Sequence, residues 1–131
     1  MPGSTPPLRL TTLIDGTECA VMRLAGELDV RSEHQFLAQA GDMVTRGHRY
    51  LVLDVTALRF CDSRGLNCLL ALEWLCRQFS GQLLLASPGS RLLHLLMLVQ
   101  VQEIFSCYPT VGHALSAVPP AHRPAWPAAP P

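Results

Sequence analysis

The stretch from residue 50 to residue 70 constrains this chain more than any other. Tyr50-Leu51-Val52-Leu53-Asp54-Val55 is a short, almost continuous apolar run, the pattern of a strand buried on both faces. A loop is predicted over residues 56–62. Ser63 then opens a stretch of helical spacing that runs to Ser80 and stops at Gly81. A buried strand that gives way to a helix within a few residues points to a β-α-β unit, because a parallel neighbour is reached only through a crossover.

The flanking segments extend that unit in both directions. Residues 8–14 and 19–25 read as extended runs around an Asp15-Gly16 turn, close enough to pair as a hairpin. Gly26-Glu27-Leu28-Asp29 is expected to break the second run. From Ser32 the spacing is helical, with Phe36, Leu37, Ala40, Met43 and Val44 on one side and Gly47 as the stop. Residues 82–86 form a further apolar strand, closed by Ser87-Pro88-Gly89. Ser90 is placed to cap a third helix, which runs to about Val99. Residues 104–107 make a short last strand and residues 111–117 a final helical turn or two. The order β-β-α-β-α-β-α-β-α predicts an α/β fold with a mixed sheet. An N-terminal hairpin is followed by β-α-β units with right-handed crossovers, and the helices lie mainly on one face.

Composition bounds the function. Nine of the eleven prolines fall in residues 1–7 and 118–131, so these are expected to be a disordered N-terminus and a flexible Pro/Ala-rich tail around one domain at 8–117. Ten cations, all arginine, balance ten acids, which is not the footprint of a nucleic-acid or anionic-membrane binder. The longest nearly apolar stretch, residues 92–101, is too short to span a bilayer, and no signal-peptide pattern opens the chain. The five cysteines form no CxxC pair. They read as free, mostly buried thiols in a cytoplasmic protein, and no metal or cofactor is expected.

Ser63 is where chemistry concentrates. A serine between a strand and a helix can cap the orphan N–H groups of the first turn, or it can hold a phosphate at the positive end of the helix dipole. Asp62 and Arg64 flank it. Asp62 reads equally as an N-cap or turn former and as a group handling phosphate or metal, and Asp29 by its residue type alone reads as a turn residue. On a helical projection Gly65, Cys68, Leu69, Leu72, Leu75, Cys76 and Phe79 fill one arc, the expected core side. Leu66, Leu70 and Trp74 fall together outside it, either as a partner-facing patch or under a neighbouring helix.

Several of these residues together carry a resemblance. Asp54, the run Phe60-Cys61-Asp62-Ser63-x-Gly65-Leu66, Gly26-Glu27-Leu28-Asp29 after a strand, and the closing order Ser87-Pro88…Leu95…Ile104-Phe105 resemble the STAS domain of bacterial anti-sigma-factor antagonists, over roughly residues 8–117. The resemblance implies a regulatory binding protein, not an enzyme. In that family the serine after the aspartate, here Ser63, is phosphorylated by a partner anti-sigma factor that is also a serine kinase. The unmodified antagonist binds that partner and frees its sigma factor, and phosphorylation ends the binding. The residue after the serine is usually small and hydroxylated in the family, whereas here it is Arg64. The resemblance implies partner contact through Asp29, Asp62, Ser63 and Arg64, joined by Leu66, Leu70 and Trp74 if their stripe faces out. Two other readings stand beside it: a STAS scaffold or ligand sensor without phosphorylation, and a small serine hydrolase using Ser63 with His94 or His113 as base.

Overall fold

Leu8–Asp15 (β1) and Cys19–Leu28 (β2) pair antiparallel from Leu8↔Gly26 to Asp15↔Ala20, the hairpin expected. The computed structural model describes residues 6–127. Glu33–Thr45 (α1) leads to Tyr50–Cys61 (β3), Ser63–Gln78 (α2), Gln82–Ala86 (β4), Ser90–Leu98 (α3), Ser106–Tyr108 (β5) and Val111–Ser116 (α4). The strands lie in the order β1-β2-β3-β4-β5, and β2 through β5 are parallel.

That order explains where the helices go. The sheet grows by one strand in one direction at each step, so every right-handed crossover returns over the same face. Ala20, Met22, Leu24, Leu51, Leu53, Val55, Leu83 and Leu85 point into this large core, against Phe36 and Ala40 of α1, Leu69 and Leu72 of α2, and Leu92 and Leu96 of α3. The alternate residues Cys19, Val21, Val52, Leu84 and Ala86 face the other side, where Val111, Ala114 and Leu115 of α4 and Val118 cover them. The core strands are apolar on both faces because both faces are covered.

Two strands run further than their sequence suggested. β2 continues through Gly26 to Leu28 instead of breaking at Gly26, and residues 56–61, expected as loop, extend β3. The two overhangs pair with each other, Gly26↔Leu58 and Leu28↔Cys61, across register shifts. Gly26 has φ +112°, and a Cβ there would collide with the Pro7 carbonyl, so only glycine fits. The last strand is shifted to Ser106–Tyr108, and Phe105 is buried in the core ahead of it.

Of the two terminal stretches, residues 1–5 and 128–131 lie outside the described residues. Residues 118–127 lie against the domain. Val118 is buried, the His122 ring stacks on Tyr50, and Arg123 donates to the carbonyls of Ser116 and Val118. His48, which the sequence did not single out, is buried with its ring nitrogens 2.8 Å from the Met43 carbonyl and 2.7 Å from Asp15, tying the end of α1 to the hairpin turn.

Candidate functional site

Because β2 and β3 are parallel and end in register, the segments that follow them leave the sheet side by side. This C-terminal edge is where open parallel sheets present their functional loops. Residues 29–33 come from one strand and residues 62–65 from the other.

The cap of α2 falls on Asp62. Its backbone is extended (φ −98°, ψ −168°), and its Oδ1 accepts from the Gly65 N–H at 2.9 Å. Ser63 is thus the first residue inside the helix. It is exposed, and its hydroxyl makes no hydrogen bond among the described residues. Of the capping roles considered for the two residues, Asp62 takes the one and Ser63 is left free at the positive end of the helix. Gly65 lets the two segments touch, since a Cβ there would collide with the Leu28 carbonyl and crowd Cys61 Sγ. Ser90 does not cap α3 either; Gly89 holds that position without a side-chain bond.

Asp29 is buried and already occupied. Its carboxylate accepts from Arg31 Nη2 at 2.8 Å, from Arg31 Nε at 3.2 Å and from the Arg31 backbone N–H at 2.9 Å. The Arg31 side chain holds that carboxyl below its ordinary range, against the effect of burial. Ser32 Oγ donates to the Glu27 carbonyl and accepts from the Asp29 N–H, closing the turn. Asp29 therefore braces the loop from within, and Val30, 60% exposed, is what the loop presents outward. Arg64 reaches across to α1. Its Nη2 lies 2.8 Å from Glu33 Oε2, an exposed ion pair that ties the start of α2 to the start of α1.

The apolar stripe needs correction. Leu66 is only 3% exposed and joins the core, Leu70 is half-buried against it, and Trp74 alone, at 62%, faces outward. The buried side of α2 is rotated toward Leu66 and Glu73, and Phe79, expected in the core, is exposed. Glu73 can be buried because Arg77 Nε sits 2.6 Å away; burial still pushes its carboxyl above the usual range. Beneath the site, Asp54 is also buried. Burial opposes its charge, but the Thr56 hydroxyl and amide and Arg23 Nε outweigh that and keep its carboxyl low.

The thiols at this edge are held far from ionisation, and His94, the other base considered, is an exposed residue of α3 with no side-chain hydrogen bond among the described residues. Burial, with the Asp62 charge, pushes the Cys61 thiol up to about 12, and burial pushes Cys76 to about 12 and Cys68 to about 11. Thiols so far from ionised are poor nucleophiles. Among the described residues no group of three or more His, Cys, Asp or Glu could hold a metal ion. His113 is engaged with Thr110 at the start of α4, on the far face of the sheet, so it is not positioned as a base for Ser63. Two exposed apolar residues beside the site, Val30 and Phe60, were missed. Their sequence signal was position alone: Val30 directly follows Gly26-Glu27-Leu28-Asp29, and Phe60 opens the run that leads to Ser63.

The STAS domain family model matches residues 11–114. The crystal structure of an anti-sigma factor antagonist from Mycobacterium paratuberculosis is similar, with a TM-score of 0.73 at 28% identity over 88% of this chain and 97% of that one. The anti-sigma factor antagonist SpoIIAA in its unphosphorylated form gives 0.68 at 21% identity, over 83% of this chain and 93% of that one. The phosphorylated form of SpoIIAA from Bacillus gives 0.65 at 21%, over 86% and 99%. No curated protein sequence matches. Among the described residues no helix is long and apolar enough to cross a membrane. With the family model spanning most of the chain and the fold shared with these antagonists, the chain belongs to the STAS domain family.

Proposed function

We propose that this chain is a cytoplasmic regulatory domain of the anti-sigma-factor antagonist kind, which binds a partner anti-sigma factor with serine kinase activity and is switched by phosphate on Ser63. Its membership of the STAS family and its likeness to solved antagonists support the general role. The observation that carries the finer reading is the position of Ser63: exposed, without a side-chain hydrogen bond among the described residues, first in α2 and directly after a cap supplied by another residue. A kinase can take that hydroxyl without undoing the helix start. The phosphate would then sit at the positive helix end and bring about −1.5 to −2 charges. A partner surface packed over unmodified Ser63 would have to desolvate that charge, so binding ends without refolding.

In this reading Ser63, Asp62, Arg64 and the 29–33 loop make the contact, Asp29 braces the loop, and Trp74 marks the outer rim. Mass spectrometry of the protein from its native cell should find phosphate on Ser63. With the cognate anti-sigma factor, wild type and Ser63→Ala should bind and Ser63→Asp should not; equal affinity for all three rejects the switch. A second reading, a phosphorylation-independent scaffold or ligand sensor, is favoured by Arg64, which occupies the position after the serine and is tied to Glu33. A kinase assay with the cognate partner decides between them.

A further inference from the structure

The chain is neutral overall, yet its charges are unevenly matched. Among the described residues every acidic residue except Asp62 and Glu103 lies within ion-pair distance of an arginine or histidine. Among the described residues five exposed arginines have no such partner: Arg123, which the Ser116 and Val118 carbonyls hold, and Arg9, Arg49, Arg59 and Arg91, which make no side-chain hydrogen bond either. Arg49 lies just before β3, at the far end of the sheet. Arg9, Arg59 and Arg91 share the end that carries Ser63. Arg9 stands opposite Ala25, Arg59 lies on the β3 overhang, and Arg91 lies in the first turn of α3 after β4.

Hollows lie between these cations. Arg59 and Arg91 line a cavity of about 170 Å³ with Leu58, Phe60, Cys61 and Leu92. Arg59 and Arg9 line another of about 300 Å³, floored by Ala25, Gly26 and Ala57. Phe60 is 45% exposed in the first. Guanidiniums that can each grip a carboxylate bidentately, set around an aromatic ring and an apolar floor, are the residue set enriched at the centres of protein contacts. An apolar floor offers a small inorganic anion nothing in place of its lost water. Three cations on a neutral chain are also too few for a nucleic-acid backbone.

We propose that the cleft of Arg59, Phe60 and Arg91 docks an acidic segment of a protein partner, with Arg9 extending the basic surface across β3. The proposal rests on the reading that a protein binds at the Ser63 end. The test is a titration of the ¹⁵N-labelled chain with a hexaglutamate peptide, followed by amide NMR. Saturable shifts should centre on residues 58–61 and 91–92 and weaken with added salt. Arg59→Gln and Arg91→Gln should each weaken binding roughly two- to fivefold, and Arg49→Gln should leave it unchanged. All three variants should keep the wild-type thermal midpoint, since none of these side chains has an ion-pair partner to lose. Tighter binding of inorganic pyrophosphate or of a short oligothymidylate at the same residues would overturn the assignment to an acidic protein segment. Shifts absent from the cleft, or insensitive to both substitutions, would overturn the cleft itself. None of these readouts involves Ser63, so the cleft can fail while the phosphate switch stands, and the reverse.

Discussion

Replacing Asp62 and Ser63 one at a time separates the helix cap from the phosphate acceptor. The structure puts the cap energy on Asp62, whose Oδ1 holds the Gly65 N–H at 2.9 Å from an extended backbone. Asp62→Ala removes that bond and should cost about 1 kcal/mol, within the ~0.5–2 kcal/mol range for lost N-caps. Asp62→Asn keeps an acceptor in place and should cost only a few tenths of that. Ser63 is exposed, already helical and without a hydrogen bond to lose. Alanine has the higher helix propensity, so Ser63→Ala should stay within about 0.5 kcal/mol of wild type. Ser63→Asp places a charge at the positive helix end, worth about 0.3–1 kcal/mol, with repulsion from Asp62 taking back a part.

Urea unfolding with linear extrapolation reads these differences, and unchanged m-values would show that the unfolded state is the same. In a domain of this size about 1 kcal/mol moves the thermal midpoint by roughly 2–8 °C, so the two positions should separate in a melting scan as well. A loss of 1 kcal/mol or more in Ser63→Ala, with Asp62→Ala neutral, would refute the reasoning. It would put the cap on the serine hydroxyl and remove the ground for treating that hydroxyl as free for modification. If the expected pattern holds, loss of partner binding in Ser63→Asp cannot be blamed on unfolding.

Gly65→Ala should destabilise by about 2 kcal/mol or more, because its Cβ meets the Leu28 carbonyl, which belongs to a sheet that cannot give way cheaply; a stability within 0.5 kcal/mol of wild type, on the scale of ordinary surface changes, would contradict the close approach. Arg64→Ser breaks only an exposed pair with Glu33, so its stability cost should lie between about 0 and 1 kcal/mol and shrink with salt. If Arg64 hinders the kinase, the same variant should be phosphorylated faster than wild type, and an unchanged rate would assign Arg64 to helix tethering alone. Asp54 has a carboxyl held below its ordinary value, so its contribution is present above the unfolded-state carboxylate range and is lost as pH falls through its lower, folded value. Acid unfolding of Asp54→Asn should therefore show a shallower stability loss in that window than wild type, and superimposable acid profiles would refute the assignment.

The alternation of strand and helix, the hairpin, and the placing of Ser63 where a strand gives way to a helix were all legible in the sequence. They depend on local periodicity and on glycine stops, which neighbouring residues carry among themselves. The motif residues around Gly26 and Asp62 pointed to the family for the same reason. Other features depended on partners distant in the chain. Residues 56–61 are mixed in polarity and became strand only because the β2 overhang pairs with them. Asp62 and Ser63 are both good capping residues, and the choice fell to whichever kept an extended backbone as the chain left β3. Leu66 turned inward and Phe79 outward because α2 is apolar around most of its circumference, so periodicity alone could not fix its rotation, while Arg77 made burial of Glu73 tolerable. Arg64 found its partner in Glu33, 31 residues away, through the packing of two helix starts at one sheet edge. Local propensity named the elements and the serine; long-range pairing and burial decided which side chains the Ser63 end presents to a partner.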